Sequence, residues 1–291
     1  MDIKTVGVVG AGPMGIGIAQ VFATAGFTVI LFDNNRVILE AAPQKIADSL
    51  DQGIKVGALK PGDKAPALVN IVLADSLPSV AASDLIVEAA TEKEAVKGRI
   101  FQELVPHLLP HTILTSTTSA VSITRLASRT DRPERFMGMH FMKPVPVMKL
   151  VELIRGIATD EATFKTVEDM CITLGKTTSV SEDFPAFIVN RILMPMINEA
   201  IYAVYEGVGT VENIDKSLKL GANHPLGPLE LADFIGLDIV LANLNALHDG
   251  LADNKYRPCP LLVKYVEAEW FGRKSGRGFY DYSGDTPVPT R

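Results

Sequence analysis

Cysteine is scarce in this chain: Cys171 and Cys259 are the only two, and neither has a second cysteine at metal-ligand spacing. That argues against a disulfide framework and a zinc site, and both thiols are expected to be inert. Basic residues do not gather into a stripe and the net charge is −6, so nucleic acid is not an expected partner. No uninterrupted apolar run approaches the length that would span a bilayer, and no membrane association is expected. The N-terminus shows no basic n-region, long apolar stretch or arginine-rich presequence, as expected of a mature cytoplasmic protein. Internal repeats and low-complexity tracts are absent. What is present is a globular balance of 47% hydrophobic and 21% charged residues, in a chain of 291 that suits two cores better than one.

Gly10-Ala11-Gly12-Pro13-Met14-Gly15 follows the apolar run Thr5 to Val9 and precedes a helical pattern, and Asp33 ends the next strand-like run. A bare G-x-G-x-x-G is weak, but strand, glycine turn, helix and acidic residue in one compact unit form a specific dinucleotide grip. Gly10 permits the tight turn, Gly12 lets backbone approach the pyrophosphate, and Gly15 lets helix pack on sheet. Pro13 and Met14 open the helix whose unpaired N–H groups face the phosphates. Asp33 is placed to bond both ribose hydroxyls, and its charge would repel the extra phosphate of NADP, so the expected cofactor is NAD. Arg36 points the other way, but reads better as a solvated residue of the next helix's first turn.

Strand-like runs at Thr5 to Val9, Phe27 to Phe32, Asn70 to Leu73, Leu85 to Glu88 and Thr112 to Thr115 alternate with helical patterns at Gly15 to Ala25, Arg36 to Val56 and Val96 to Leu109. Further strands are expected at Arg135 to Met139, Met148 to Ile154 and Thr177 to Val180. Such alternation predicts an α/β fold, a doubly wound Rossmann-type sheet with helices on both faces. Beyond Phe184-Pro185 the pattern is helical at Phe187 to Tyr205, Val211 to Leu220, Leu229 to Leu247 and Leu261 to Glu269. The expectation is therefore an NAD-binding domain over 1–184, followed by an all-α C-terminal domain over 185–291 for substrate binding and dimerisation. The helix Phe187 to Tyr205 has an apolar arc too wide for one solvated side, which points to a homodimer. Pro195 should bend it. Ser283 to Arg291, without periodicity, is expected to be a loose tail.

Bound NAD requires a group that handles the proton accompanying hydride transfer, and histidine is the usual one. His107 and His111 flank Pro110 in a turn, His224 precedes Pro225, and His248 follows a helical stretch. His140 differs: it ends a strand-like run beyond the fifth strand, on the side where such sheets bind ligands. Glu152, twelve residues on, sits amid Val151, Leu153 and Ile154. A carboxylate there needs a partner. Pairing with His140 would orient the ring and stabilise its imidazolium, although a buried structural contact would explain the same spacing.

The stretch His140-Phe141-Met142-Lys143-Pro144-Val145-Pro146-Val147-Met148-Lys149-Leu150-Val151-Glu152 closely resembles the signature of the L-3-hydroxyacyl-CoA dehydrogenase family, and in particular its short-chain bacterial members. Val87-Glu88-Ala89-Ala90, Phe187-Ile188-Val189-Asn190-Arg191, the run from Leu220 to Pro228 and that from Gly272 to Tyr280 resemble further family blocks in family order. The likeness implies NAD-dependent interconversion of a short-chain 3-hydroxyacyl-CoA and its 3-oxo form. It implies that His140 takes the hydroxyl proton, that Glu152 holds His140, and that Ser119 and Asn190 hydrogen-bond the reacting oxygen and acyl group. Glu92 and Lys97 match positions near the nicotinamide-side ribose. On the residues alone, Ser119 also suits a turn or cap, Asn190 a helix's first turn, and Glu92 with Lys97 a solvated pair.

Three departures stand out. Thr117-Thr118-Ser119-Ala120 replaces the family's usual Asn-Thr-Ser-Ser, so contacts from Thr117 to cofactor or substrate must be weaker or rearranged. Lys143 replaces an asparagine; pointing inward it would lower the pKa of His140 and attract a substrate carboxylate, and pointing outward it is a solvated lysine. Lys45, Lys55, Lys60 and Lys64 resemble the family's CoA-phosphate lysines, but Asp48 and Asp51 dilute their charge. Two alternatives follow: a dehydrogenase of another 3-hydroxy acid or carboxylate-bearing acyl-CoA recognised by Lys143, and an NAD-binding protein with impaired catalysis.

Overall fold

A computed structural model describes residues 3–290; Met1, Asp2 and Arg291, which the domain bounds and the tail named above include, lie outside the described residues. The chain forms two compact units, Met1–Phe184 and Pro185–Arg291.

In the first unit the elements run β1 (Thr5–Val9), α1 (Pro13–Thr24), β2 (Thr28–Phe32), α2 (Arg36–Lys55), α3 (Lys64–Val69), β3 (Ile71–Leu73), β4 (Leu85–Glu88), α4 (Glu94–Leu104), β5 (Ile113–Ser116), α5 (Ile123–Ala127), β6 (Phe136–Phe141), β7 (Leu150–Arg155), α6 (Glu161–Thr173) and β8 (Thr177–Glu182). The strands make one eight-stranded sheet in the order β3-β2-β1-β4-β5-β6-β7-β8. Every residue of β4, β5 and β6 is buried, which is why these strands read as continuous apolar runs rather than as alternation. Val6, Val8, Ile18, Phe22, Leu31 and Val87 anchor the core.

The chain leaves β1 toward β2 and β3 on one side and returns to β4 on the other. Connections diverging from β1 and β4 open a crevice at the strands' carboxyl ends, where the glycine turn lies. Beyond β6 the winding changes. Only eight residues, Met142 to Lys149, join Phe141 to Leu150, too few for the crossover a parallel pair requires. Accordingly β7 runs antiparallel to β6, and β8 parallel to β7. The helix α6, which the sequence reading did not place, is capped by Asp160 accepting from the Thr163 N–H at 2.6 Å, and it buries Phe164, Val167, Met170 and Cys171. Burial, with Glu168 nearby, pushes the Cys171 thiol up to about 12.

The second unit comprises α7 (Val189–Tyr205), α8 (Val211–Gly221), α9 (Pro228–Ile235), α10 (Leu237–Leu251), α11 (Pro260–Glu267), β9 (Tyr280–Asp281) and β10 (Val288–Pro289). Two expectations are corrected here. The stretch Leu229 to Leu247 is two helices: Gly236, at φ +106°, turns the chain between α9 and α10, which meet at 98°. The end of the chain is not wholly a tail either, because β10 pairs with β9. Asp233 holds this ribbon, accepting from the Phe279 and Tyr280 N–H groups at 3.0 and 2.9 Å and from the Tyr282 hydroxyl at 3.0 Å. Burial pushes its carboxyl up to about 6, against those bonds. No single helix among the described residues is long and apolar enough to cross a membrane; α9 and α10 reach that length only as a bent pair. Pro195 lies inside α7, and Ile188 and Ile192 at its start are exposed.

Candidate active site

Gly10 leaves β1 at φ +108°, a conformation that L side chains rarely adopt. A Cβ on Gly15 would stand 1.7 Å from the Gly10 carbonyl oxygen, so α1 passes close to the turn only because both residues are glycine. Gly12 is different. A Cβ there would meet no protein atom within 4 Å, and Gly12 lines a cavity of about 560 Å³ with Val9, Gly10, Asp33, Asn34 and Ala90. Packing does not require this glycine; a ligand entering the cavity would. Gly12 also caps α1 without a side-chain bond and Pro13 opens the helix, which leaves backbone N–H groups for an anion.

Asp33 borders the same cavity. Its Oδ2 accepts from the Ala11 N–H at 2.7 Å and its Oδ1 from the Asn35 N–H at 2.8 Å, which holds the carboxylate at the end of β2. Arg36 turns instead to Glu40 and Asp75, at 2.8 and 2.9 Å, so its charge is already engaged by two carboxylates. Turn, helix start and acid fit a dinucleotide with an unphosphorylated ribose. Asp33→Ala is expected to raise KM for NAD about tenfold or more, as loss of hydrogen bonds to a charged group should, while NADP suffers less. Steady-state kinetics with both nucleotides check this, and an unaltered preference rejects the ribose assignment.

His140 and Glu152 stand directly opposite each other in the β6–β7 register, and opposed residues of an antiparallel pair project to the same face. The His140 Nδ1 lies 2.8 Å from Glu152 Oε2, with side chains 8% and 0% exposed. An ionised carboxylate only accepts, so Nδ1 donates, and the neutral ring then carries its lone pair on Nε2. The other histidines lie elsewhere: His111 pairs with Asp84 at 2.8 Å, His248 sits in the last turn of α10, His107 is in the turn after α4, and His224 follows α8.

Beside this pair, Thr117 closes the end of β5 onto β6. Its hydroxyl accepts from the Phe141 N–H at 3.1 Å, so it serves the backbone next to His140 with its acceptor side. Ser119 is held by Glu92, whose Oε1 accepts from the Ser119 N–H at 2.5 Å and hydroxyl at 2.8 Å, while Oε2 accepts from the Thr118 hydroxyl at 2.8 Å. Burial raises the Glu92 pKa, but the Lys97 ammonium and the bonds from Ser119 and Thr118 outweigh it and leave the carboxyl below its ordinary value.

Lys97 is not a solvated partner of Glu92. It is buried on Glu88 at 2.8 Å and lies 3.6 Å from Glu92. The sequence reading gave Glu88 no role, although a carboxylate closing the buried run Leu85-Ile86-Val87 carries the same signal that singled out Glu152. Lys143 and Lys55 are both exposed, and Lys64 pairs with Asp51 at 2.7 Å. Asn190 is half-buried in the first turn of α7, in the second unit.

These features define an NAD-dependent oxidoreductase built on a Rossmann-type sheet. Residues 5–184 match the NAD binding domain of 3-hydroxyacyl-CoA dehydrogenase and residues 187–282 match its C-terminal domain, and the chain belongs to the 3-hydroxyacyl-CoA dehydrogenase family. It is 61% identical over 289 residues to a 3-hydroxybutyryl-CoA dehydrogenase of Bradyrhizobium diazoefficiens, covering 99% of each chain. With the human mitochondrial hydroxyacyl-coenzyme A dehydrogenase it shares 42% identity, over 96% of this chain and 91% of that one. Its structure resembles the crystal structure of (S)-3-hydroxybutyryl-CoA dehydrogenase from Ralstonia eutropha with a TM-score of 0.93 at 47% identity, covering 97% of this chain and 100% of the other.

Proposed function

We propose that this chain oxidises short-chain L-3-hydroxyacyl-CoA, such as 3-hydroxybutyryl-CoA, to 3-oxoacyl-CoA with NAD, and catalyses the reverse reduction, with His140 as general base and acid. The observation that carries the reading is the buried 2.8 Å contact between His140 Nδ1 and Glu152. It sits at the carboxyl end of β6, where doubly wound sheets bind ligands. Bound NAD supplies the hydride acceptor. His140 Nε2 takes the 3-hydroxyl proton as the carbonyl forms, and the Glu152 carboxylate stabilises the resulting imidazolium. In the reverse direction the same nitrogen returns the proton.

Ser119, held at its N–H by Glu92, would donate to the reacting oxygen once its hydroxyl proton turns from Glu92 to the substrate. The roles of Asn190 toward the acyl group and of Lys55 toward the CoA phosphates rest on the family likeness alone. Thr117, with its hydroxyl accepting from Phe141, would face the cofactor through what donor capacity remains. The exposed Ile188, which precedes α7, and Ile192 within it support a homodimer formed through the second unit, as does the wide apolar arc of that helix.

The test is oxidation of NADH with acetoacetyl-CoA, set beside free and dicarboxylic 3-oxo acids. Turnover of acetoacetyl-CoA well above the others is expected. No turnover of acetoacetyl-CoA rejects the proposal; preference for a dicarboxylic acid would move recognition to Lys143, and NAD binding without turnover of any would indicate an impaired enzyme.

A further inference from the structure

The carboxylate of Glu88 is fully buried at the last residue of β4 and is saturated by donors from three directions. Oε1 accepts from the Ala90 N–H at 2.7 Å and from Lys97 Nζ at 3.0 Å. Oε2 accepts from Lys97 Nζ at 2.8 Å and from the Ser116 hydroxyl at 2.6 Å. The cluster therefore joins the carboxyl ends of β4 and β5 to the second turn of α4. Replacing such a pair by well-packed apolar groups is often neutral or stabilising, so its burial does not by itself explain its presence. A reason lies one contact further out, where Lys97 reaches 3.6 Å from Glu92 and Glu92 holds both the N–H and the hydroxyl of Ser119.

We infer that Glu88 is a positioning residue for the reaction: it fixes the Lys97 ammonium, which fixes Glu92, which sets the Ser119 hydroxyl. The chain of contacts is physical at each step. Of the carboxylates within 4 Å of Lys97 among the described residues, Glu88 is the fully buried one, and its bonds to Ala90 and Ser116 prevent its own carboxylate from rotating. Lys97, held in that way, can only partly neutralise Glu92, whose side chain is 49% exposed and would otherwise turn to solvent. Glu92 in turn spans the Thr118–Ser119 turn with three hydrogen bonds. Without the cation behind it, the Glu92 carboxylate is free to swing out and release Ser119. The inference rests on the proposed function, in which Ser119 meets the reacting oxygen.

A double-mutant cycle tests it, because residues acting as one unit are non-additive whereas independent ones add. Glu88→Gln keeps the shape and the acceptor oxygen but removes the charge. It is expected to lower kcat about tenfold with KM for the acyl substrate changed less than twofold, and to have no further effect on kcat in a Ser119→Ala background. If Glu88→Gln alone does not fold because it strands the Lys97 charge, Glu88→Gln with Lys97→Met removes both charges and takes its place in the cycle. The double variant is expected to melt near the parent temperature and to lose kcat tenfold with KM for NAD changed less than twofold, which neither a merely structural pair nor loss of a cofactor contact at Lys97 would produce. Parental kcat, or a loss of equal size with and without Ser119, overturns the inference. Loss of the underlying dehydrogenase reading would look different: there the parent enzyme itself fails to reduce acetoacetyl-CoA.

Discussion

His140→Gln is expected to lower kcat for 3-hydroxybutyryl-CoA by about a hundredfold or more, the range general acid–base catalysis commonly supplies, while the dissociation constant for NAD stays within about twofold. The contrast follows from where the two functions sit. The dinucleotide grip is built from the β1 turn, α1 and the end of β2, whereas His140 belongs to β6. Glutamine suits the experiment because its amide N–H can still donate to Glu152, which is fully buried. A side chain without a donor would take one hydrogen bond from that buried carboxylate and cost about 1–3 kcal/mol in stability, confusing folding with catalysis. Stopped-flow or steady-state rates together with NAD titration decide the matter, and unchanged turnover removes His140 from the reaction.

Glu152→Gln is expected to be nearly as damaging, although Glu152 acts on the reaction through the histidine. A carboxylate opposite Nδ1 only accepts, so the ring proton stays on Nδ1 and the lone pair on Nε2. The amide of glutamine can instead donate to Nδ1, which favours the opposite tautomer and leaves Nε2 protonated. It also removes the negative charge that stabilises the imidazolium. Where an acid behind a catalytic histidine is exchanged for its amide with geometry kept, the loss is on the order of ten-thousandfold, and here about a hundredfold to ten-thousandfold is expected. The double variant His140→Gln, Glu152→Gln should be little slower than the slower single variant, since the two act as a unit. Additive losses would show that Glu152 contributes through something other than His140.

Much of the first unit was legible in the sequence. The glycine turn imposes steric demands within a few residues, as the 1.7 Å approach of a Gly15 Cβ to Gly10 shows. Strands buried on both faces announce themselves as short apolar runs between turns. His140 and Glu152 stood out for similar reasons: one imidazole at a strand end, one acid among apolar residues. Glu88 offers the same signal, a carboxylate closing an apolar run, but nothing in the residue order ties it to Lys97, which pairs equally well with Glu92 as a solvated partner. The lysine turned inward instead, to the carboxylate whose desolvation needed it more.

Residue order alone determined the dinucleotide grip, the alternation that makes a doubly wound sheet, the change to helices near residue 184 and the types of side chain available for proton transfer. Tertiary structure decided which of those side chains meet. It set the register of β7 on β6 so that His140 faces Glu152, buried Lys97 on Glu88, broke one apolar stretch at Gly236 and paired the chain's end as a ribbon. Local patterns reflect forces acting over a turn or two of chain, whereas the register of a strand and the partner of a buried charge are settled by groups far apart in sequence that folding brings out of water together.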